Sequence, residues 1–188
     1  MKTFTEKEAE KFLKKQGFRI VDSVFVKKAE DLDSGLKKVK FPVVMKVSSK
    51  KIVHKTKVNG IRLNVKSKSA AVKAFNELIK IKKAEGVLIQ EQIKGKEFLL
   101  GLKKTKDFGH VIGFGAGGSK VEKMKKVDFR VCGVLGVGDL SKNASVKKLL
   151  DKLCGLAEKY PKIDSLDINP LILSKKGAII VDAQVFFE

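Results

Sequence analysis

The chain has 188 residues, enough to bury a core as one domain or two small ones, and no apolar run approaches the roughly eighteen residues of a membrane-spanning helix. Its 41 Lys+Arg against 21 Asp+Glu leave a net charge of +20 at pH 7, which invites a nucleic-acid reading. Against that reading, the cations are lysines apart from Arg19, Arg62 and Arg130; with no Trp and one Tyr, the arginine forks and exposed aromatics that read bases are scarce.

Thr5-Glu6-Lys7-Glu8 is a capping box that opens a helix with Ala9, Phe12 and Leu13 on one face and Gly17 at its end. This charged start is not the apolar core of a signal peptide. Residues 18–26 alternate loosely as a strand, and Ala29, Leu32, Leu36 and Val39 give a second helical stripe before Phe41-Pro42. Residues 41–47 read as a buried strand carrying one lysine, Lys46, which either snorkels to an edge or meets an anion. A long polar loop follows over 48–60, with His54 ringed by Lys51, Lys55 and Lys57. Those ammonium groups attract a phosphoryl group and favour the neutral, nucleophilic imidazole. A loop histidine is otherwise an ordinary surface residue. Asn59, next to Gly60, tolerates a left-handed turn better than other non-glycines.

Residues 61–66 alternate as a strand, and Ser69 caps a helix whose Val72, Phe75 and Ile79 point inward. Residues 86–91 form the next strand, running on through Glu97 to Gly101. Residues 110–118 end a strand in a glycine cluster whose spacing does not match a dinucleotide fingerprint. Cys132 and Cys154 lack metal-ligand spacing and read as reduced thiols of a cytoplasmic protein. The last helix covers 144–160, with Val146, Leu149, Leu150, Leu153, Leu156 and Ala157 inward and Pro161 stopping it.

Near the end, apolar β-formers flank Ser174-Lys175-Lys176-Gly177, the signature of a β-hairpin. A turn centred between Lys175 and Lys176 makes paired residue numbers sum to 351: Leu173 faces Ala178, Leu171 faces Ile180, and Asn169 faces Asp182. An amide oxygen and a carboxylate then stand about 5 Å apart on one face. Two hard oxygen donors on stiff strands suit Mg²⁺, which keeps several waters and takes other ligands from phosphates. The competing reading is a polar pair at the solvated end of a hairpin.

These segments together resemble a known family. The run Asp167-Ile168-Asn169-Pro170-Leu171 with Val181-Asp182-Ala183, the strand lysine Lys46, His54-Lys55-Thr56 with Val58 and Gly60, residues 86–101, and the glycine cluster with Glu122 are similar to the ATP-grasp domain of ADP-forming acetyl-CoA synthetases and their succinyl-CoA synthetase relatives. The resemblance covers essentially the whole chain. It implies an α+β ATP-grasp fold clasping a nucleotide: one domain over 1–188, with subdomains at about 1–90 and 102–188 and a nucleotide-hinge segment near 86–101. It implies ADP or ATP with Mg²⁺ as ligands, Asn169 and Asp182 holding the metal, Lys46 and Gly60 at the phosphates, and Glu91 and Glu97 at the adenine and ribose end. Arg130 becomes a phosphate or interface cation. His54 would take a phosphoryl group from a phosphohistidine on a partner and deliver it to ADP, in the reaction acyl-CoA + ADP + phosphate ⇌ acid + CoA + ATP. The chain stops at Glu188 without a CoA-binding domain, so the resemblance implies a β subunit working with a CoA-binding α subunit. Asn59 stands where the family has glycine, and Ser119-Lys120 where it has an apolar pair. These departures keep open a stand-alone or catalytically drifted ATP-grasp protein. A basic nucleic-acid-binding module is the remaining alternative, on charge alone.

Overall fold

The computed structural model describes residues 2–52, 55–117, 127–134 and 136–188. It divides into two compact units, one of residues 21–92 and one of residues 1–20 with 93–188. The first twenty residues, which the sequence places with the N-terminal subdomain, therefore pack with the C-terminal half. Their partners explain why. β1 (Lys2–Thr3) pairs antiparallel with a strand at the far end of the chain, Lys2 opposite Phe187, and Ile20 bridges to Ile180. Between them α1 (Glu6–Lys15) starts on the expected capping box, Glu8 N donating to Thr5 Oγ1 at 3.2 Å and Thr5 N to Glu8 Oε2 at 2.8 Å.

The 21–92 unit is a four-stranded antiparallel sheet in the order β2-β5-β3-β4. Its strands are β2 (Ser23–Val26), β3 (Val43–Ser48), β4 (Ile61–Val65) and β5 (Gly86–Glu91). The short α2 (Leu32–Leu36) and α3 (Lys68–Leu78) bury Leu32, Leu36, Ala71, Ala74, Phe75 and Leu78 against Val43, Met45, Val47, Val87 and Ile89. Helix α3 differs in phase from the sequence reading. Its N-cap is Ser67, whose side chain accepts from Ala70 N at 3.2 Å, while Ser69 lies within the first turn. That shift carries Ala71, Ala74, Phe75 and Leu78 inward and leaves Val72 exposed. Phe75 and Ile79 of the expected stripe still meet this core, Phe75 buried and Ile79 packed against it.

The other unit carries a seven-stranded antiparallel sheet in the order β1-β11-β9-β6-β7-β8, with β10 also paired to β9. After β6 (Lys96–Thr105), β7 (Gly109–Ala116) and β8 (Val127–Val131) comes α4 (Ala144–Lys159), then β9 (Ile163–Ser174), β10 (Gly177–Ile180) and β11 (Ala183–Phe187). The inward residues of α4 are those its periodicity picks out, and Leu150 and Leu153 are fully buried with Leu100, Ile112, Leu166 and Ile168 of the sheet. Truncating either leucine to alanine costs about 2–5 kcal/mol.

The two cysteines are not free thiols. Cys132, just past β8, is disulfide-bonded to Cys154 on the inward face of α4 across a Cα–Cα distance of 5.2 Å. The helix packs over the sheet beside the end of β8, and this long-range contact leaves no trace in local spacing. Among the described residues no helix is long and apolar enough to cross a membrane.

Candidate functional site

The hairpin register holds over a longer stretch than the turn alone requires. Ala178 pairs with Leu173, Ile179 with Ile172 and Ile180 with Leu171, each pair summing to 351. Past the end of β10 the same register continues as single backbone bonds, Val181 N to Pro170 O and Asn169 N to Asp182 O, both 3.2 Å. It resumes between β11 and β9, where Ala183 pairs with Ile168 and Gln184 with Asp167. Asn169 and Asp182 are thus directly opposed. Ile168 and Ala183 beside them point into the core, so by strand alternation Asn169, Asp182, Asp167 and Gln184 share the opposite face.

That face continues across the sheet. Asp167 pairs with Gly101, Gly101 with Gly113, and Gly113 with Phe129. A Cβ added at Gly101 would meet Asp167 Oδ1 at 3.5 Å, which places that carboxylate over a floor without side chains. Asp167 keeps one side open to water, yet lost hydration against the sheet pushes its pKa up, and the nearby Lys103 ammonium opposes this. Lys103 itself is engaged by Asp164 at 2.7 and 2.8 Å, and that bond holds the Asp164 carboxyl below its usual range. Asp167 belongs to the motif read from the sequence but had no role there; its alternation with Asn169 on β9 was the available signal. Glu97 sits on β6 opposite Ile172, and its carbonyl accepts from Gly117 N at 3.0 Å.

In the other unit, Lys46 lies between Ile61 of β4 and Leu88 of β5 and is only 4% exposed. Met45 and Val47 point to the helix-covered core, so Lys46 shares the other face with Leu88 and Gln90. A buried ammonium in that setting must be met by polar or anionic groups. Gln90, fully buried after the apolar run Val87-Leu88-Ile89, is a second polar group there that the sequence reading passed over. Glu91, by contrast, follows Val87 and Ile89 onto the helix side at the end of β5, so the structure does not bring its side chain to Lys46.

Gly60 closes the polar loop against this strand. Its N–H donates to Lys55 O and its carbonyl accepts from Val47 N, both at 2.8 Å. A Cβ at Gly60 would stand 2.4 Å from Val47 Cγ1, a contact only glycine avoids. Asn59 adopts φ +50°, the left-handed turn its amide side chain tolerates, and its carbonyl accepts from Arg62 Nη1 at 2.7 Å. The loop's other end is also fixed: Ser49 Oγ and Lys50 N both donate to Glu85 Oε1 at 3.0 Å. Lys55 is buried, while Lys51 and Lys57 are exposed. His54 lies outside the described residues, as do Gly118, Ser119, Lys120 and Glu122. Arg130 is exposed on β8, donating to Phe129 O at 2.8 Å.

The profile of the ATP-grasp domain matches residues 1–137 and 136–187. An ADP-forming acetate–CoA ligase II of Archaeoglobus fulgidus is 35% identical over 199 residues, covering 96% of this chain but only 30% of that protein. The beta subunit of an ADP-forming acetate–CoA ligase II of Pyrococcus furiosus is 30% identical over 217 residues, covering 97% of this chain and 91% of that subunit. Among solved structures, acetyl-coenzyme A synthetase 1 of Candidatus Korarchaeum cryptofilum in complex with coenzyme A and Ca-AMPCP superposes with TM-score 0.89 at 28% identity, over 100% of this chain and 94% of that one. Another structure of that enzyme, with coenzyme A and Mg-AMPPCP, has its phosphohistidine segment pointing towards the nucleotide-binding site; it superposes with TM-score 0.80 at 28% identity and covers 100% of this chain and 93% of that one.

Proposed function

The chain belongs to the ATP-grasp domain family, and we propose that it is the nucleotide-binding, phosphoryl-passing β subunit of an ADP-forming acyl-CoA ligase. The observation that carries the reading is the continuous register opposing Asn169 to Asp182. An amide oxygen and a carboxylate fit Mg²⁺, a hard cation that accepts few protein ligands and fills the rest of its shell with water and phosphate oxygens. When bound, Mg²⁺ neutralises charge on the transferring phosphoryl group.

The chain's own groups do the rest. Lys46 presents its ammonium to phosphate oxygens, with Gly60 setting how closely the loop backbone approaches. Glu97 and the end of β5 at Glu91 serve the adenine and ribose end. His54 takes the phosphoryl group on a ring nitrogen from a phosphohistidine on a CoA-binding α subunit. It then yields that group to the β-phosphate oxygen of ADP, returning as neutral imidazole. The loop is anchored at Glu85 on one side and by the Lys55–Gly60 bond on the other, so an excursion between subunits releases one of these anchors. Its nucleotide and CoA pools place the reaction in the cytoplasm, where disulfides are uncommon yet do occur. The left-handed turn at Asn59 lets the loop close on Gly60 without glycine at that position, which supports this reading.

The test combines this chain with its α subunit. His54→Ala keeps nucleotide binding and subunit association but makes no ATP from acyl-CoA, while the α subunit still becomes phosphorylated. Asp182→Asn weakens Mg-ADP binding in calorimetry with the fold intact. ATP formation by the His54→Ala complex at near wild-type rates, or unchanged Mg-ADP affinity in Asp182→Asn, refutes the assigned roles.

A further inference from the structure

β8 is the edge of the seven-stranded sheet: it pairs with β7 on one side and, among the described residues, with no strand on the other. Cys132 N donates to His110 O at 2.8 Å, and the register aligns these two residues as a hydrogen-bonded pair. In an antiparallel ladder such pairs alternate. Arg130 and Asp128 therefore direct their backbone groups to β7, and Val127, Phe129 and Val131 direct theirs to the open edge. The Phe129 carbonyl agrees with this phase, since it accepts from the Arg130 side chain instead of a strand. Among the described residues the edge therefore offers three donor–acceptor sets not taken by a strand, a template for another strand.

The residues around this edge are apolar where a surface is normally polar. Phe129 is 63% exposed, Phe108 64% and Val134 63%, and with Val111, Val131 and Arg130 they line a concave patch of about 380 Å³. What should cover it is written in β8 itself. Val127-Asp128-Phe129-Arg130-Val131 is self-complementary when read against its own reverse. Two antiparallel copies centred on Phe129 set Asp128 opposite Arg130 twice, Val127 opposite Val131 twice, and Phe129 opposite Phe129. The hydrogen-bond phase suits this register. Phe129 and the valines fall on bonded positions, and the charged pairs on the non-bonded positions, where side chains stand closest, about 4.5 Å between Cα atoms. Neither Asp128 nor Arg130 joins an ion pair among the described residues, so both charges are available.

We propose that two copies of this chain associate through antiparallel β8–β8 pairing about a two-fold axis at Phe129, joining two sheets into one. The interface is isologous, as such a two-fold contact must be. Arg130 gives up the Phe129 carbonyl, which then accepts from the second copy's backbone, and turns to the second copy's Asp128. Val127 of the second copy reaches the apolar patch beside Val131 and Val111. The net charge of +20 on each copy opposes association at long range. Salt screens that repulsion beyond a Debye length of about 10 Å at 0.1 M while leaving the contacting Asp–Arg pairs less affected. Dimerisation accordingly strengthens from low to moderate salt, the reverse of a contact driven by charge steering alone.

Sedimentation velocity of the full chain at about 100 µM, in low and in about 0.3 M salt, tests this. The wild-type chain is expected to dimerise more at the higher salt, with concentration-dependent slowing of amide exchange at Val127, Phe129 and Val131. Arg130→Asp puts like charges opposite one another twice and weakens the dimer by about tenfold or more. The double exchange Asp128→Arg with Arg130→Asp restores it. The proposal is overturned by a wild-type chain that stays monomeric in both salts, by an Arg130→Asp chain that dimerises as well as wild type, or by a double exchange that fails to restore pairing. Protection of β8 that arises only with an α subunit overturns it too, and reassigns this edge to that partner.

Discussion

Gly60→Ala measures how tightly the polar loop is closed on the Lys46 strand. The added Cβ would stand 2.4 Å from Val47 Cγ1 and 3.0 Å from Lys55 O, against an ordinary carbon–carbon separation of about 3.5–4.0 Å. Val47 is fully buried in the core of the 21–92 unit, so its side chain has no empty space to enter. Turning it off its rotamer costs about 0.5–1.5 kcal/mol. If β3 and the loop part instead, the Val47 N–H to Gly60 O and Gly60 N–H to Lys55 O bonds lengthen, at about 0.5–1.5 kcal/mol each. The first route costs about 0.5–1.5 kcal/mol and the second about 1–3 kcal/mol, so the expected loss is about 1–2 kcal/mol, a fall of about 2–8 °C in Tm for a chain of this size. Gly155→Ala is the internal control: it sits in α4 with nothing within 4 Å of an added Cβ, and gains up to about 1 kcal/mol in helix propensity. Thermal denaturation by circular dichroism reads both. A Gly60→Ala chain that melts within a degree of wild type would refute the close packing of loop on strand.

Lys46→Ala is expected to weaken ADP at least tenfold while leaving adenosine binding within about twofold, as loss of one charged hydrogen bond to phosphate implies. Equal losses for both ligands in calorimetry rule out a phosphate-specific role. Asp164→Asn tests the surface ion pair between β9 and β6. Its carboxyl is held below its usual range by the Lys103 bond, so its contribution is present above the unfolded value of about 3.9 and fades as pH falls through the lower folded value. The pair is partly solvated and screened, which limits the loss at pH 7 to about 1 kcal/mol or less. Urea denaturation should show that loss shrinking in high salt and disappearing near pH 2; a loss undiminished in acid excludes the ion pair as its cause.

What could be read from the sequence was whatever a local rule determines. A two-residue turn centre fixes a whole ladder, so the 351 pairing inferred from Ser174 to Gly177 runs correctly to Asp182 and on through Phe186 opposite Ser165. The Thr5–Glu8 capping box and the inward face of α4 were legible for the same reason, being contained within a turn or a helical period. What failed was decided by distant partners. Residues 1–20 join the C-terminal half because β1 finds its place beside β11, and no pattern within twenty residues encodes a strand partner at Phe187. The Cys132–Cys154 bond depends on where α4 lies across the sheet, and the alanine face of α3 on how closely that helix approaches β3. The site divides in the same way. Asn169 against Asp182 is a ladder property and was readable. The burial of Lys46 with Gln90 on one face, and Glu91 on the other, follows from which side of the sheet the helices cover, and strand alternation alone leaves that choice open. A ligand-binding residue on a strand is therefore predictable in register before it is predictable in facing. That order also explains why the Asn169–Asp182 pairing was readable from a turn, whereas the face shared by Asp167 and Gly101 emerged only once β6 was placed beside β9.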